Sequence, residues 1–366
     1  MIKKMIKLIK PSLSYEDIET EIQEIFNSGQ FTQGVNVDKF KLALKQYIGV
    51  NYLGLTTSAT TALVLALRIC GVKAGDKVAV SDYSWPASSN VIEEVGAIPI
   101  FIDINPETFN MCPRDLKSKV NKDVSAVIFV DTFGNPSGVN LIKDICDSCQ
   151  IPLIEDAACA LGSEINNRKV GTYADITCYS FHPRKVINTG EGGAICTNNQ
   201  EYADEIEIKL SAGASGRAEV GLNFTDYGFN YRLTEIQSLM GWKQILTLDE
   251  LINKRSIVKQ KYLEKLTNLG FIEQKVDQNV KHNFQSIVFL VPENINRNML
   301  IDHLYSKNIE STLGTYCLSS TQFNKEKYNN VQNNSSLVER MAITLPCYEG
   351  VDVDYVVSEI DSFINK

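Results

Sequence analysis

A chain of 366 residues, 44% of them hydrophobic, is long enough to bury a large core and to form two domains. Its 36 basic and 44 acidic residues leave a net charge of -8 with no basic block, which argues against nucleic acid or an anionic membrane surface as a partner. The lysine-rich start MIKKMIKLIK has no apolar stretch of signal-peptide length, and no run approaches the roughly 18 apolar residues of a membrane span, so a soluble cytoplasmic protein is expected.

Residues 14–28, SYEDIETEIQEIFNS, read as an amphipathic helix with Ser14 as its cap and Asp17 three residues on. A second helix is expected over residues 37–47. A short β-rich run then ends at Thr57, and residues 59–70 are apolar enough to be a core-packed helix. The join, Thr57-Ser58-Ala59-Thr60, puts small hydroxyl residues at a helix N-terminus. Free N–H groups and the positive dipole end make that a phosphate site, with a plain Ser/Thr cap as the alternative.

Strand–helix alternation continues: DKVAVSD, IPIFIDI and VSAVIFVD read as strands, and residues 86–95 and 140–149 as helices. Near-continuous apolar strands between helices predict an α/β fold, a doubly wound, mostly parallel sheet covered on both faces. Trp85 follows the strand ending VSDYS, at a carboxyl end where such sheets bind ligands. IPLIEDAACALGS delivers Glu155 and Asp156 to another carboxyl end, where a carboxylate needs a partner. Asp131, ending VIFVD, is a further acidic candidate or a cap for the loop after it. The nine cysteines are no disulfide framework, and Cys146 and Cys149 read as helix residues three apart, so no metal site is expected.

ITCYSFHPRKVINTGEGG is the most informative stretch. An apolar run turns abruptly polar at Ser180, His182, Arg184 and Lys185, then reaches Gly190, Gly192 and Gly193 around Glu191. A strand that delivers a lysine into a glycine-lined turn suits an amine that must reach a bound ligand. SFHPRKVINTGEGG resembles the Schiff-base lysine segment of the DegT/DnrJ/EryC1/StrS family of pyridoxal-phosphate-dependent sugar aminotransferases. S-F-x-x-x-K followed by T-G-E-G-G is present in full. The resemblance implies that Lys185 binds the cofactor as a Schiff base and that Ser180 holds its phosphate. E-D-A-A matches as well and implies Asp156 as the partner of the pyridine nitrogen. S-A-T stands where the family has S-G-T, implying Ala59 and Thr60 as phosphate amides, and Trp85 falls where an aromatic stacks on the ring. Cys159 replaces the Gln or His that often lies near the cofactor's 3′-oxygen, and a thiol is a poorer donor.

Residues 201–211 are expected to be helical, and SAGASGRAEVGLNFTDYGFNYR to be a long glycine-rich loop. GFNYRLTEIQ resembles the family's G-Y-N-Y-R-M-T-D-I-Q, which implies that Asn230 reaches a partner subunit's cofactor phosphate; Arg232 reads as a structural ion-pair residue. Residues 234–266 form a long helical stretch broken near 247–249, after which the texture changes. NFQSIVFLV reads as a strand, 297–307 and 352–366 as helices, and 329–336 as a polar, mobile segment. The expected division is a large cofactor-binding domain over 1–248 and a smaller C-terminal α+β domain over 249–366.

The resemblance spans roughly residues 25–350 and implies a fold-type I aminotransferase, homodimeric with shared active sites, using pyridoxal 5'-phosphate. It implies an amino acid donor, glutamate foremost, and a nucleotide-linked keto-deoxy sugar as acceptor, with a small phosphorylated ketone as the alternative. The acceptor is expected between the lysine loop, residues 211–223 and IESTLGTYCLSS. A related sugar 3-dehydratase would carry histidine in place of Lys185, a desulfurase would need a reactive cysteine on a mobile loop, and a cofactor-binding regulator stays open.

Overall fold

The computed structural model describes residues 5–365. The strands of the central sheet are β1 (Tyr52–Thr56), β2 (Lys77–Ser81), β3 (Ile98–Ile102), β4 (Val124–Val130), β5 (Leu153–Asp156), β6 (Ile176–Ser180) and β7 (Gly193–Thr197). They lie side by side in the order β1-β7-β6-β5-β4-β2-β3. The pairs from β6 through β3 are all parallel, and only β7 runs against its neighbours β1 and β6. The strands are apolar on both faces because both faces are covered. Ile176 and Cys178 of β6 join the cluster built on Ala62–Leu67 of helix Ala59–Ile69. Tyr179, and Phe181 just past the strand, face the other way onto Phe40, Leu44 and Ile48 of helix Val35–Ile48.

A second unit follows helix Glu235–Ile245 and helix Leu248–Leu266. Its antiparallel sheet runs Ile272–Glu273, Ile287–Leu290, Ala342–Leu345, Thr312–Leu313. Helices Leu248–Leu266, Arg297–Ser306 and Val353–Ile364 cover it around Tyr262, Phe289, Leu300 and Val356. The N-terminal segment, which the sequence division puts with the large domain, pairs here instead. Ile6 N–H donates to Asn308 O (2.8 Å), Glu310 N–H to Ile6 O (2.9 Å) and Cys347 N–H to Leu8 O (3.0 Å). Free backbone edges in the small unit take in an extended segment whose Ile6 side chain packs on its core.

Local chemistry accounts for other departures from expectation. The first helix begins at Glu19, because Asp17 Oδ2 accepts Ser14 N–H (2.8 Å) and closes a separate turn ahead of it. Residues 333–336, expected to be mobile, open helix Asn333–Met341. The Asp103 carboxylate accepts the N–H groups of Asn334 and Ser335, each at 3.0 Å, and so anchors a helix N-terminus with an anion. The glycine-rich loop contains an exposed hairpin, Ala214–Arg217 with Leu222–Phe224. Arg232 donates to Leu210 O (3.2 Å) and makes no ion pair among the described residues.

One buried carboxylate fixes the scaffold behind the lysine turn. Glu235, 2% exposed, accepts the N–H groups of Gly34 (2.8 Å), Asn36 (2.9 Å) and Val37 (3.0 Å) at the start of helix Val35–Ile48. That helix packs against helix Glu235–Ile245, where Gly241 leaves room for the Phe40 ring, and Phe40 meets Phe181 with centroids 5.1 Å apart. Removing the carboxylate leaves these three N–H groups and the Asn36 side-chain amide without their acceptor, so Glu235→Ala is expected to destabilise by about 3–5 kcal/mol. Thermal melting checks this, and Gly34→Ala, whose new methyl would meet the same carboxylate, should move the midpoint in the same direction.

Candidate active site

Strand direction brings the chemistry to one edge. β4, β5 and β6 end side by side at Asp131, Asp156 and Ser180. β7 starts at the same edge, with Gly193 opposite both Ser180 and Thr56. A Cβ at Gly193 would stand 2.5 Å from the Ser58 carbonyl carbon and 2.7 Å from Ala59 N, so only glycine lets the start of helix Ala59–Ile69 sit this close. Ser58 caps that helix by accepting Thr61 N–H (3.1 Å). The amides of Ala59 and Thr60, in the first turn, have no carbonyl within the helix to bond.

These elements surround a cavity of about 510 Å³. Ala59, Thr60, Trp85, Asp156, Cys159, Ser180 and Lys185 all line it. Asn230 does not: it is exposed, beyond the hairpin and outside the cavity wall. Residues 211–223 contribute nothing to the wall either, whereas Thr312, Gly314 and Thr315 of the small unit do. Trp85 is 62% exposed at the mouth, with Tyr316 edge-on to it at 5.8 Å.

Asp156 is buried. Its Oδ2 accepts from Ser88 Oγ (2.7 Å) and its Oδ1 from Ala158 N–H (3.2 Å). Burial raises its pKa above the usual carboxylate range, while Ser88, Ala158 and the nearby Lys185 ammonium oppose the rise. Glu155, on the neighbouring position, is pushed up to about 7 by burial, against hydrogen bonds from Thr177 Oγ1 and Gly171 N–H. Lys185 Nζ lies 3.0 Å from Cys159 Sγ, so the sulfur that replaces an amide or imidazole touches the amine.

Sequence reasoning missed the groups that hold this geometry. Ser88 looked like any helix serine. Gln285, 3% exposed, reaches from the small unit and grips the backbone on either side of Lys185. Its Oε1 accepts Val186 N–H (2.7 Å) and its Nε2 donates to Arg184 O (2.5 Å). Arg255 in turn donates to Gln285 O (2.8 Å). Leu8 and Ile9 also line the cavity, in an N-terminal segment that is bonded to the small unit. A contact spanning 99 residues leaves no local signature.

The chain matches the DegT/DnrJ/EryC1/StrS aminotransferase family over residues 13–361. It belongs to that family. GDP-perosamine synthase from Vibrio cholerae is 29% identical over 310 residues, covering 84% of each chain. A Campylobacter jejuni UDP-4-amino-4,6-dideoxy-N-acetyl-beta-L-altrosamine transaminase is 34% identical over 262 residues, 70% of this chain and 69% of that one. Among solved structures, a Helicobacter pylori aminotransferase involved in pseudoaminic acid biosynthesis superposes with TM-score 0.90 at 24% identity, covering 99% of this chain and 100% of its own. A sugar aminotransferase from Micromonospora echinospora gives 0.91 at 20% identity, covering 98% and 100%. The fold is that of fold-type I aminotransferases, and the enzyme is a pyridoxal-phosphate-dependent aminotransferase.

The cavity fits that cofactor. Two free helix amides and the Ser180 hydroxyl can take a phosphate, a buried carboxyl can take a pyridinium N–H, and a lysine amine lines the same cavity. Among the described residues no group of three His, Cys, Asp or Glu could hold a metal, and no helix is long and apolar enough to cross a membrane. The Gln285 grip gives a test of how far the lysine's position depends on the small unit. Gln285→Ala should lower kcat on the order of tenfold or more, since small misplacements of a reacting group are costly. Donor KM should change little, and steady-state kinetics separates the two.

Proposed function

We propose that this aminotransferase moves an amino group from an amino acid, glutamate foremost, to the keto group of a nucleotide-linked keto-deoxy sugar. The observation that carries the reading is the single cavity that gathers Lys185, Asp156, Ser180 and the Ala59–Thr60 amides, open at a mouth formed by both units. The relatives named for GDP- and UDP-linked sugars support the acceptor class.

Pyridoxal phosphate, when bound, supplies a ring that withdraws the electrons left on the donor α-carbon. The protein's groups do the rest. The amides of Ala59 and Thr60 and the hydroxyl of Ser180 anchor the phosphate. Asp156, steadied by Ser88 and Ala158, keeps a proton on the ring nitrogen. Trp85 covers one ring face. Lys185 Nζ holds the cofactor covalently at rest, and as a free amine carries a proton between the donor α-carbon and the C4′ carbon. Its Nζ contacts Cys159 Sγ, and it makes no ion pair with a carboxylate among the described residues.

Asn230 is assigned to the phosphate of a second copy. The exposed Leu222, Phe224 and Tyr227 of the hairpin region give an apolar surface for that copy to cover. We divide the chain functionally into the sheet unit that holds the cofactor and the smaller unit that closes over the acceptor.

Borohydride reduction of the yellow holoenzyme, followed by peptide mapping, should place the cofactor on Lys185; label on another lysine rejects the assignment. Hybrids of Lys185→Ala and Asn230→Ala subunits should regain activity in one site of each pair, and hybrids as inactive as their parents would argue against shared sites. For the acceptor, the enzyme is first converted by glutamate to its amino form, then offered keto sugar nucleotides and small phosphorylated ketones. Return of the visible band with the sugar nucleotides is expected. Return only with the small ketones overturns the acceptor class, and failure of every amino donor favours a regulator.

A further inference from the structure

One strand over from Asp156 lies a carboxyl that nothing in the protein satisfies. Asp131 is fully buried and lines the cavity, and neither of its oxygens has a hydrogen-bond partner among the described residues. Its N–H donates to Asp156 O at 3.2 Å, so the two acids stand side by side at the ends of β4 and β5. Buried polar groups are almost always paired, and one left open toward a cavity asks for a ligand.

The neighbouring acids each have donors, although Glu155 uses only Oε2 and its Oε1 is also without a partner. Asp156 accepts from Ser88 and Ala158, and Glu155 from Thr177 and Gly171. Asp131 accepts from nothing. Burial first, and then the charges of Glu155, Asp156 and Cys159, push its pKa well above the usual carboxylate range. Acids this close divide into an ionised and a neutral member. The two donors and nearby Lys185 favour the charged form at Asp156, whereas nothing does so at Asp131, which makes Asp131 the member suited to keep its proton and offer an O–H.

Topology supplies the direction. β6, ending at Ser180, flanks β5 on one side, and β4, leading to Asp131, flanks it on the other. In the cofactor, the carbon that faces Lys185 lies opposite the ring nitrogen, with the phosphate arm on one flank and the 3′-oxygen on the other. With the phosphate at Ser180 and the nitrogen at Asp156, the 3′-oxygen falls on the flank of Asp131. Cys159 is also on the lysine's side of this wall, 3.0 Å from Lys185 Nζ, but a thiol is a weak donor.

We propose that the Asp131 carboxyl donates a hydrogen bond to the 3′-oxygen of the bound cofactor. This rests on the cofactor orientation given under Proposed function. The test titrates apo Asp131→Asn and Asp131→Ala with pyridoxal phosphate and follows absorbance against pH. Melting of the apo variants is the folding control; both should match or exceed the parent, because an unpartnered buried acid is removed. The Asn variant, which keeps a donor, should bind within about threefold of the parent. The Ala variant should bind about 10- to 100-fold more weakly and shift the pH midpoint of the visible band by about a unit. Parent-like affinity and midpoint in the Ala variant, or an Asn variant as weak as Ala, overturns the proposal. Borohydride labelling keeps the premise separate: label on Lys185 in both variants upholds the orientation, whereas label elsewhere brings down orientation and proposal together.

Discussion

A cluster of buried carboxyl groups at the carboxyl edge of the sheet is the constraint around which the site is arranged. Asp131, Glu155 and Asp156 are all buried on adjacent strands, with Lys185 as the cation close to Asp156. Carboxylates in low dielectric are costly unless hydrogen-bonded or paired. Glu155 is neutralised in part by its backbone and threonine donors, and Asp156 is held by Ser88 on the helix that follows Trp85. If the pyridine nitrogen sits at Asp156 as proposed, a protonated ring would give this buried carboxyl a charged partner beyond Ser88 and Ala158. The same reasoning explains why parallel strands are needed: only strands running together deliver successive acids to one edge.

The opposite pole of the site depends on an absence of side chain. Gly193 lets a backbone turn and a strand start occupy nearly the same space, which brings the free amides of helix Ala59–Ile69 beside Ser180. That placement is rigid because β7 is hydrogen-bonded on both edges, to β1 and β6. Ala59 in place of glycine keeps the amide while adding a methyl group, and the residue remains a part of the cavity wall. The phosphate site proposed here rests on backbone geometry, which a side chain at position 193 would disturb by meeting Ser58 and Ala59.

What the sequence made legible follows from this division. Features set by short stretches were readable: apolar strands ending in Asp156 or leading to Lys185, a hydroxyl cap at Ser58, the break between helices near residue 247. Their functional meaning came from the family resemblance, since spacing alone reached only an amine, an acid and a phosphate site. Features set by distant contacts were not readable. Ser88 and Gln285 are ordinary polar residues until the fold puts them against Asp156 and the lysine turn. The helix over residues 333–341 exists beside Asp103, more than two hundred residues away in the chain, and nothing in NNSSLVERM announces that anion. Likewise the isolation of Asp131 shows only in the fold, where neither of its carboxyl oxygens meets a donor among the described residues.

Gln285 connects these elements to the small unit. Its side chain bonds the backbone before and after Lys185, while its own backbone is held by Arg255 and Asn283. The lysine therefore sits on the large sheet but takes its register from the smaller unit. Thr312, Gly314 and Thr315 of that unit line the mouth, as do Leu8 and Ile9, whose segment is paired to it through Ile6 and Leu8. An acceptor bound at the mouth, as proposed, would therefore press on a body directly bonded to the Lys185 turn. A shift of the small unit that improved contact with a bulky acceptor would also move the Lys185 backbone, so fit at the mouth and alignment of the amine are one mechanical variable. The proposed noncovalent cofactor contacts differ in this respect: Asp156, Ser180 and the Ala59–Thr60 amides all belong to the large sheet and the helices packed on it.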